Sequence, residues 1–121
     1  MPESPGPTAK PPLKNDVLMI LIALSPGPRH GYAIMRDVAE RSDGTVVLQT
    51  GALYRTIKAM VADGLIEECA APRNTPSEDE RRRYYRTTAT GDAVLTAETD
   101  RLSRVVRAAR LGLAGKRASL A

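Results

Sequence analysis

The chain has 121 residues and a mass of 13.0 kDa, which allows one compact domain with an appended element and rules out two independent domains. Eighteen lysines and arginines against 14 aspartates and glutamates give a formal charge of +4 and a pI near 9.6, a balance that favours a polyanionic partner. A single histidine, His30, and a single cysteine, Cys69, exclude a histidine-rich metal site, an internal disulfide and a thiolate cluster, and no phosphate-cradling glycine loop with a following lysine is present.

Residues 1–12 hold Pro2, Pro5, Pro7, Pro11 and Pro12 with Gly6, which is too much proline for a helix, and the expectation is a flexible arm. Residues 13–25 read as a first helix with Asn15 or Asp16 as its cap, stopped by Ser25, Pro26, Gly27 and Pro28. Its apolar run, residues 17–24, is continuous, so more than one side needs covering, and Val17 and Leu21 are expected in a dimer interface. Eight apolar residues fall well short of the roughly 20 that span a membrane, and no basic segment precedes them as in a signal peptide. With one cysteine, a reducing compartment and hence the cytoplasm is the expected location.

A second helix is expected over residues 30–42, with Tyr32, Ile34, Met35, Val38 and Ala39 on its apolar face and Asp43-Gly44 closing it. Residues 45–48 are short and β-branched, a stub of strand. A third helix is expected over residues 50–63, capped by Thr50 and ended by Gly64. Two stripes run along it: Leu53, Ile57 and Met60 or Val61 form an apolar one, while Gly51, Arg55, Lys58 and Ala62 form another that carries two cations and no acid. Residues 65–71 and 81–88 read as strands of a hairpin with a long polar tip, and alternation puts Tyr85 with Thr87 on the inner face, away from Tyr84 and Arg86. Glu67-Glu68 and Glu78-Asp79-Glu80 read as solvated charge, and the latter run either repels phosphates at a DNA-facing tip or folds back on Arg81, Arg82 and Arg83.

A last helix starts at residues 88–90 and reaches about residue 113, roughly 36 Å at 1.5 Å per residue. Leu95, Leu102, Val105, Val106 and Ala109 form its apolar stripe, beside a charged one of Arg101, Arg104, Arg107 and Arg110. The small body cannot cover that stripe, so a second copy of the chain is the expected partner.

Three helices and a two-stranded hairpin follow the order of a mainly α winged helix-turn-helix, whose third helix enters the major groove while the hairpin touches backbone. Gln49 and Thr50 at the start of that helix, and Arg55 and Lys58 along it, offer groups for base edges and phosphates. The blocks HGYAIM (30–35), GALYRTIKAMVADGLI (51–66) and RRRYYRTTATG (81–91) resemble the PadR family of transcriptional regulators, in its small subgroup with a single C-terminal helix. The resemblance implies a homodimer on a roughly palindromic operator, usually repressing and released by a ligand or stress, so a small-molecule effector is a further expected partner. It implies no cofactor, and it makes Tyr54 a DNA-backbone contact. Where the family commonly has proline after that tyrosine, this chain has Arg55, which adds a cation.

The expected organisation is therefore an arm (1–12), a DNA-binding winged helix-turn-helix (13–90), and a dimerisation helix and tail (91–121). DNA is expected to meet Gln49, Thr50, Gly51, Tyr54, Arg55, Lys58, Arg81, Arg82 and Arg83. The rival expectation is an interaction adaptor that reuses a winged helix without specific DNA binding, and an enzyme is not expected.

Overall fold

The computed structural model describes residues 9–120. The elements are α1 (Asn15–Leu24), β1 (Arg29–His30), α2 (Gly31–Arg41), α3 (Thr50–Ala62), β2 (Ile66–Cys69), β3 (Tyr84–Thr87) and α4 (Ala89–Leu120). The three strands form one antiparallel sheet in the order β1-β3-β2, with Arg29 opposite Tyr85 and Cys69 opposite Tyr84. The two-residue β1 joins the hairpin to the start of α2, a strand too short to show any alternation in the sequence.

The core is aliphatic, built from Ile20, Leu21 and Leu24 of α1, Ile34 and Val38 of α2, Leu53, Ile57 and Met60 of α3, and Leu65 and Ile66. Each such side chain contributes roughly 1.5–3 kcal/mol on burial. Asp16 fixes α1 against α3: one carboxylate oxygen accepts the Val17 N–H at 2.8 Å and the other accepts the Thr56 hydroxyl at 3.1 Å. Tyr85 joins the core as expected, but Tyr84 is equally buried, because His30 covers it edge-on at 5.4 Å and its hydroxyl donates to the Asp79 carbonyl at 3.2 Å.

Two expectations about α1 and its approach are corrected. Val17 and Leu21 are 1% and 0% exposed inside the chain's own core, so no partner can reach them; the half-buried apolar residues of α1 are Leu18, Met19 and Ile22. A continuous apolar run does not encode which side faces inward, and the phase is set by packing. Ala9 is buried at 2%, so the packed chain begins before residue 13; the rest of the expected arm, residues 1–8, lies outside the described residues.

Residues 45–48 form no strand. Left-handed Asp43 and Gly44 (φ 51° and 77°) turn the chain, and the Ser42 hydroxyl accepts the Val46 N–H, which holds the segment at the end of α2 with no neighbouring strand. Thr50 is the first residue of α3 rather than its cap, the position Gln49 takes without a side-chain bond. Arg81, Arg82 and Arg83 precede β3 instead of lying in it.

α4 starts where expected. Thr88 accepts the Gly91 N–H at 3.0 Å and donates to the Gly64 carbonyl at 2.5 Å, and the Thr88 N–H donates to the Leu65 carbonyl at 3.1 Å. A Cβ on Gly91 would lie 2.0 Å from the Leu65 carbonyl oxygen, so this close approach needs glycine. The helix continues seven residues past the expected end, for 32 residues or about 48 Å at 1.5 Å each. Its last turns lack an apolar period but are rich in alanine, arginine and leucine, strong helix formers. Among the described residues, no helix is long and apolar enough to cross a membrane.

Candidate nucleic-acid interface

The two stripes of α3 separate in the structure as the helical period demands. Leu53, Ile57 and Met60 are buried, while Thr50, Gly51, Tyr54, Arg55, Lys58 and Ala62 are exposed, with Gln49 exposed just before them. The first turn holds no acid, and its N–H groups leave the positive end of the helix dipole facing outward. Arg55 and Lys58 form no ion pair among the described residues. The Arg55 guanidinium lies back along the helix, so that a Cβ on Gly51 would meet it at 3.6 Å, an ordinary van der Waals contact.

Tyr54 links α3 to the rest of the face. Its ring lies over Gly31 at the start of α2, where a Cβ would be 2.6 Å from the phenol oxygen and 2.9 Å from Cζ, so only glycine permits this pose. Two grooves meet at Tyr54. One, about 330 Å³, is bordered by His30, Tyr32, Arg82 and Arg83; the other, about 450 Å³, is bordered by Lys58, Glu68 and Arg83. Tyr54, Lys58 and Arg83 thus form one continuous surface from the third helix to the hairpin.

The three wing arginines are not equivalent. Arg83 lines both grooves; burial pushes the pKa of the Tyr85 phenol up, and the Arg83 guanidinium pulls against that shift. Arg82 is held, paired with Asp79 at 2.9 Å and placed over the Tyr32 ring at 5.7 Å. Of the two placements the sequence leaves open for the acidic run, Asp79 takes the one that turns back on Arg82. Arg81 is exposed.

Tyr32, expected on the apolar face of α2, is instead 50% exposed, and sequence reading missed its pairing with Arg36 one turn on, whose guanidinium lies 5.9 Å from the Tyr32 ring centroid. The i, i+4 spacing of an exposed aromatic and a cation was the available signal. It also missed the role of His30, whose Nδ1 accepts the Ala33 N–H at 3.1 Å and caps α2. Burial pushes the His30 pKa down, and Arg82 adds to this against Asp79, so the ring stays a neutral acceptor.

Away from this face, the expected dimer residues divide. Leu95 is half-buried and packs against the chain's own core. Leu102 is half-buried, and Val105 and Val106 are 51% and 48% exposed, with Ala109 also exposed. A groove of about 610 Å³ runs between α1 and α4, floored by Leu18, Ile22, Leu102, Val106 and Leu111. Beside it, buried Glu98 accepts the Leu13 N–H at 2.6 Å and a bond from the Arg101 guanidinium at 3.2 Å. The Arg101 guanidinium holds the Glu98 carboxyl below the usual carboxylate range, and the Leu13 bond adds to this against burial. No group of side chains among the described residues could hold a metal ion.

The transcriptional regulator PadR-like family matches residues 20–97, more than half of the chain. Among solved structures, the chain is similar to a PadR family transcription regulator from hypervirulent Clostridium difficile R20291, at 25% identity and TM-score 0.67 over 82% of this chain and 97% of that one. RosR of H. salinarum is also 25% identical, with TM-score 0.59 over 90% of this chain and 96% of that one. The fold is shared with Bacillus subtilis PadR in complex with operator DNA, at 21% identity and TM-score 0.54 over 66% of this chain and 44% of that one. No curated protein matches the chain. The fold and the family match together carry the conclusion that this chain belongs to the PadR-like family of transcriptional regulators.

Proposed function

We propose that the protein is a cytoplasmic, sequence-specific DNA-binding repressor that acts as a homodimer on a pseudo-palindromic operator. The observation that carries this reading is the exposed polar face of α3, where Arg55 and Lys58 form no ion pair among the described residues and Lys58 borders one groove with Tyr54 and Arg83. In this reading α3 enters the major groove, Arg55 and Lys58 meet base edges or phosphates, and Gln49, Thr50 and the open first turn of α3 meet the backbone. Tyr54 and the wing residues Arg81 and Arg83 fix the register on phosphates, while Arg82 contributes less because Asp79 and Tyr32 hold it.

In this reading the packed body, which extends from Ala9 into the first turns of α4, is the reading unit, and α4 from Leu102 onward supplies the contact between copies. Leu102, Val105, Val106 and Ala109, together with Leu18 and Ile22, leave an apolar groove and stripe that a second copy buries under a two-fold axis. That axis sets two α3 helices about 34 Å apart, one turn of DNA. A small-molecule effector would act by changing this spacing.

The test is fluorescence anisotropy on a duplex selected by the protein and on a scrambled duplex of equal length, over a salt series. The reading predicts at least a roughly 10³-fold preference for the selected duplex and a steep loss of affinity with salt. Equal, weak binding to both duplexes would instead fit an adaptor that reuses the winged helix for a protein partner.

A further inference from the structure

The basic character of this protein is concentrated in one place. Six cations and no acid lie from Arg101 to the end of the chain: Arg101, Arg104, Arg107, Arg110, Lys116 and Arg117. The first 100 residues hold the remaining 12 cations against all 14 acids and so carry a net charge of −2. The part of the chain that contains α3 and the wing is therefore slightly acidic, and the distal half of α4 alone makes the protein basic.

Geometry reinforces the contrast. Many body cations are spent on neighbours: Arg29 and Arg41 on Asp37, Arg36 on Glu40, Arg82 on Asp79, Arg86 on Glu67. Arg101 is bound to Glu98. The five cations beyond it form no ion pair among the described residues. Every residue of α4 from Ser103 to Leu120 is exposed, a length of about 27 Å at 1.5 Å per residue.

We propose that the distal half of α4 is a second docking surface, separate from α3, for the phosphate backbone of double-stranded DNA irrespective of its sequence. Five uncompensated cations spread over about 20 Å of helix match a duplex that carries one charge per roughly 1.7 Å. Four of the five are arginines, whose planar fork suits phosphate oxygens. At 100° per residue, Arg104 falls on the face opposite the apolar stripe of Leu102, Val106, Ala109 and Leu113, while Arg107, Arg110 and Arg117 border the grooves along it, so a second copy on that stripe leaves Arg104 open and the other three at its rim. An anionic bilayer is the poorer match: the segment has no aromatic anchor, and Gly112, Ala114, Gly115 and Ala118 give it little to bury in lipid. The surface holds the protein near DNA while α3 searches, and it stands whether or not α3 reads an operator.

The test uses the full chain with Arg104, Arg107, Arg110, Lys116 and Arg117 changed together to Gln, which keeps helix propensity. Anisotropy of a labelled random-sequence duplex is followed from about 50 to 200 mM salt. The proposal expects the slope of log K against log salt to fall by about 0.9 for each phosphate no longer neutralised, and random-duplex affinity to drop at least about tenfold at the low-salt end. The Arg55→Ala/Lys58→Ala variant should lose operator preference and at most about 1.8 of the random-duplex slope, the share of two phosphates, so failure of the α3 reading and failure of this surface are separable. A charge-retaining variant with Arg104, Arg107, Arg110 and Arg117 changed to Lys should keep random-duplex binding; its loss would assign these residues a structural role and overturn the proposal. An unchanged slope in the glutamine variant would overturn it too, as would binding to phosphatidylserine vesicles tighter than to the random duplex.

Discussion

Gly31 controls the pose of a residue 23 positions away. A methyl group at Gly31 would approach the Tyr54 phenol oxygen to 2.6 Å and Cζ to 2.9 Å. The obstructing atoms are the far end of a half-exposed side chain, 45% exposed in all, so the ring can swing outward while the core stays in place. Gly31→Ala should therefore leave stability within about 1 kcal/mol, since alanine is the better helix former at this position. If Tyr54 donates to a phosphate, the displaced hydroxyl loses a hydrogen bond to a charged acceptor, about 1.5 kcal/mol or roughly tenfold in Kd for every DNA sequence alike. Tyr54→Phe should cost the same, and the double variant should cost no more than either single one, because both act through one hydroxyl. Urea melts and anisotropy on the three variants measure these quantities. A further tenfold loss from Gly31→Ala in the Tyr54→Phe background, or unchanged affinity in both single variants, would refute the reasoning.

Other perturbations separate the parts of the account. Arg55→Ala or Lys58→Ala should cost about 1–3 kcal/mol in operator affinity and relax base preference wherever the removed side chain meets a base edge, as read by anisotropy on substituted duplexes. Replacing Arg81, Arg82 and Arg83 together by Gln should lower the operator salt slope by about 1.8, the value for two phosphates, because Asp79 and Tyr32 already hold Arg82. Gly91→Ala drives a methyl into the Leu65 carbonyl at 2.0 Å, where backbone must move, and should destabilise by about 2–3 kcal/mol in urea melts with an unchanged m-value. Glu98 has its pKa lowered from 4.5 in the folded chain, so its contribution is complete above that value and is lost as pH falls through the lowered one. Glu98→Gln should accordingly flatten the acid side of a melting-temperature profile.

The residues explain which parts of this structure were readable in advance. The two faces of α3 were legible because Leu53, Ile57 and Met60 alternate with polar positions at the helical period, and that pattern survives without knowledge of the neighbours. In α1 the same logic fails: an unbroken apolar run allows Leu18 or Leu21 to face inward, and only the packing of α2, α3 and α4 decides in favour of Leu21. The cation pattern of the wing was visible, yet its distribution was not. Which of Arg81, Arg82 and Arg83 stays available depends on Asp79 turning back and on Tyr32 arriving from α2 through the two-residue β1. Glu98 resembled any solvated helical acid in the sequence, and its burial follows from the approach of Leu13, 85 residues earlier.

The central claim is that two copies of this chain read DNA through paired α3 helices, and enrichment of bound sequences from a random duplex pool by the intact protein tests it most directly. The account predicts convergence on two inverted half-sites with centres about 10–10.5 base pairs apart. A pool that stays random after repeated rounds, or converges on a single half-site without a symmetry mate, would contradict it.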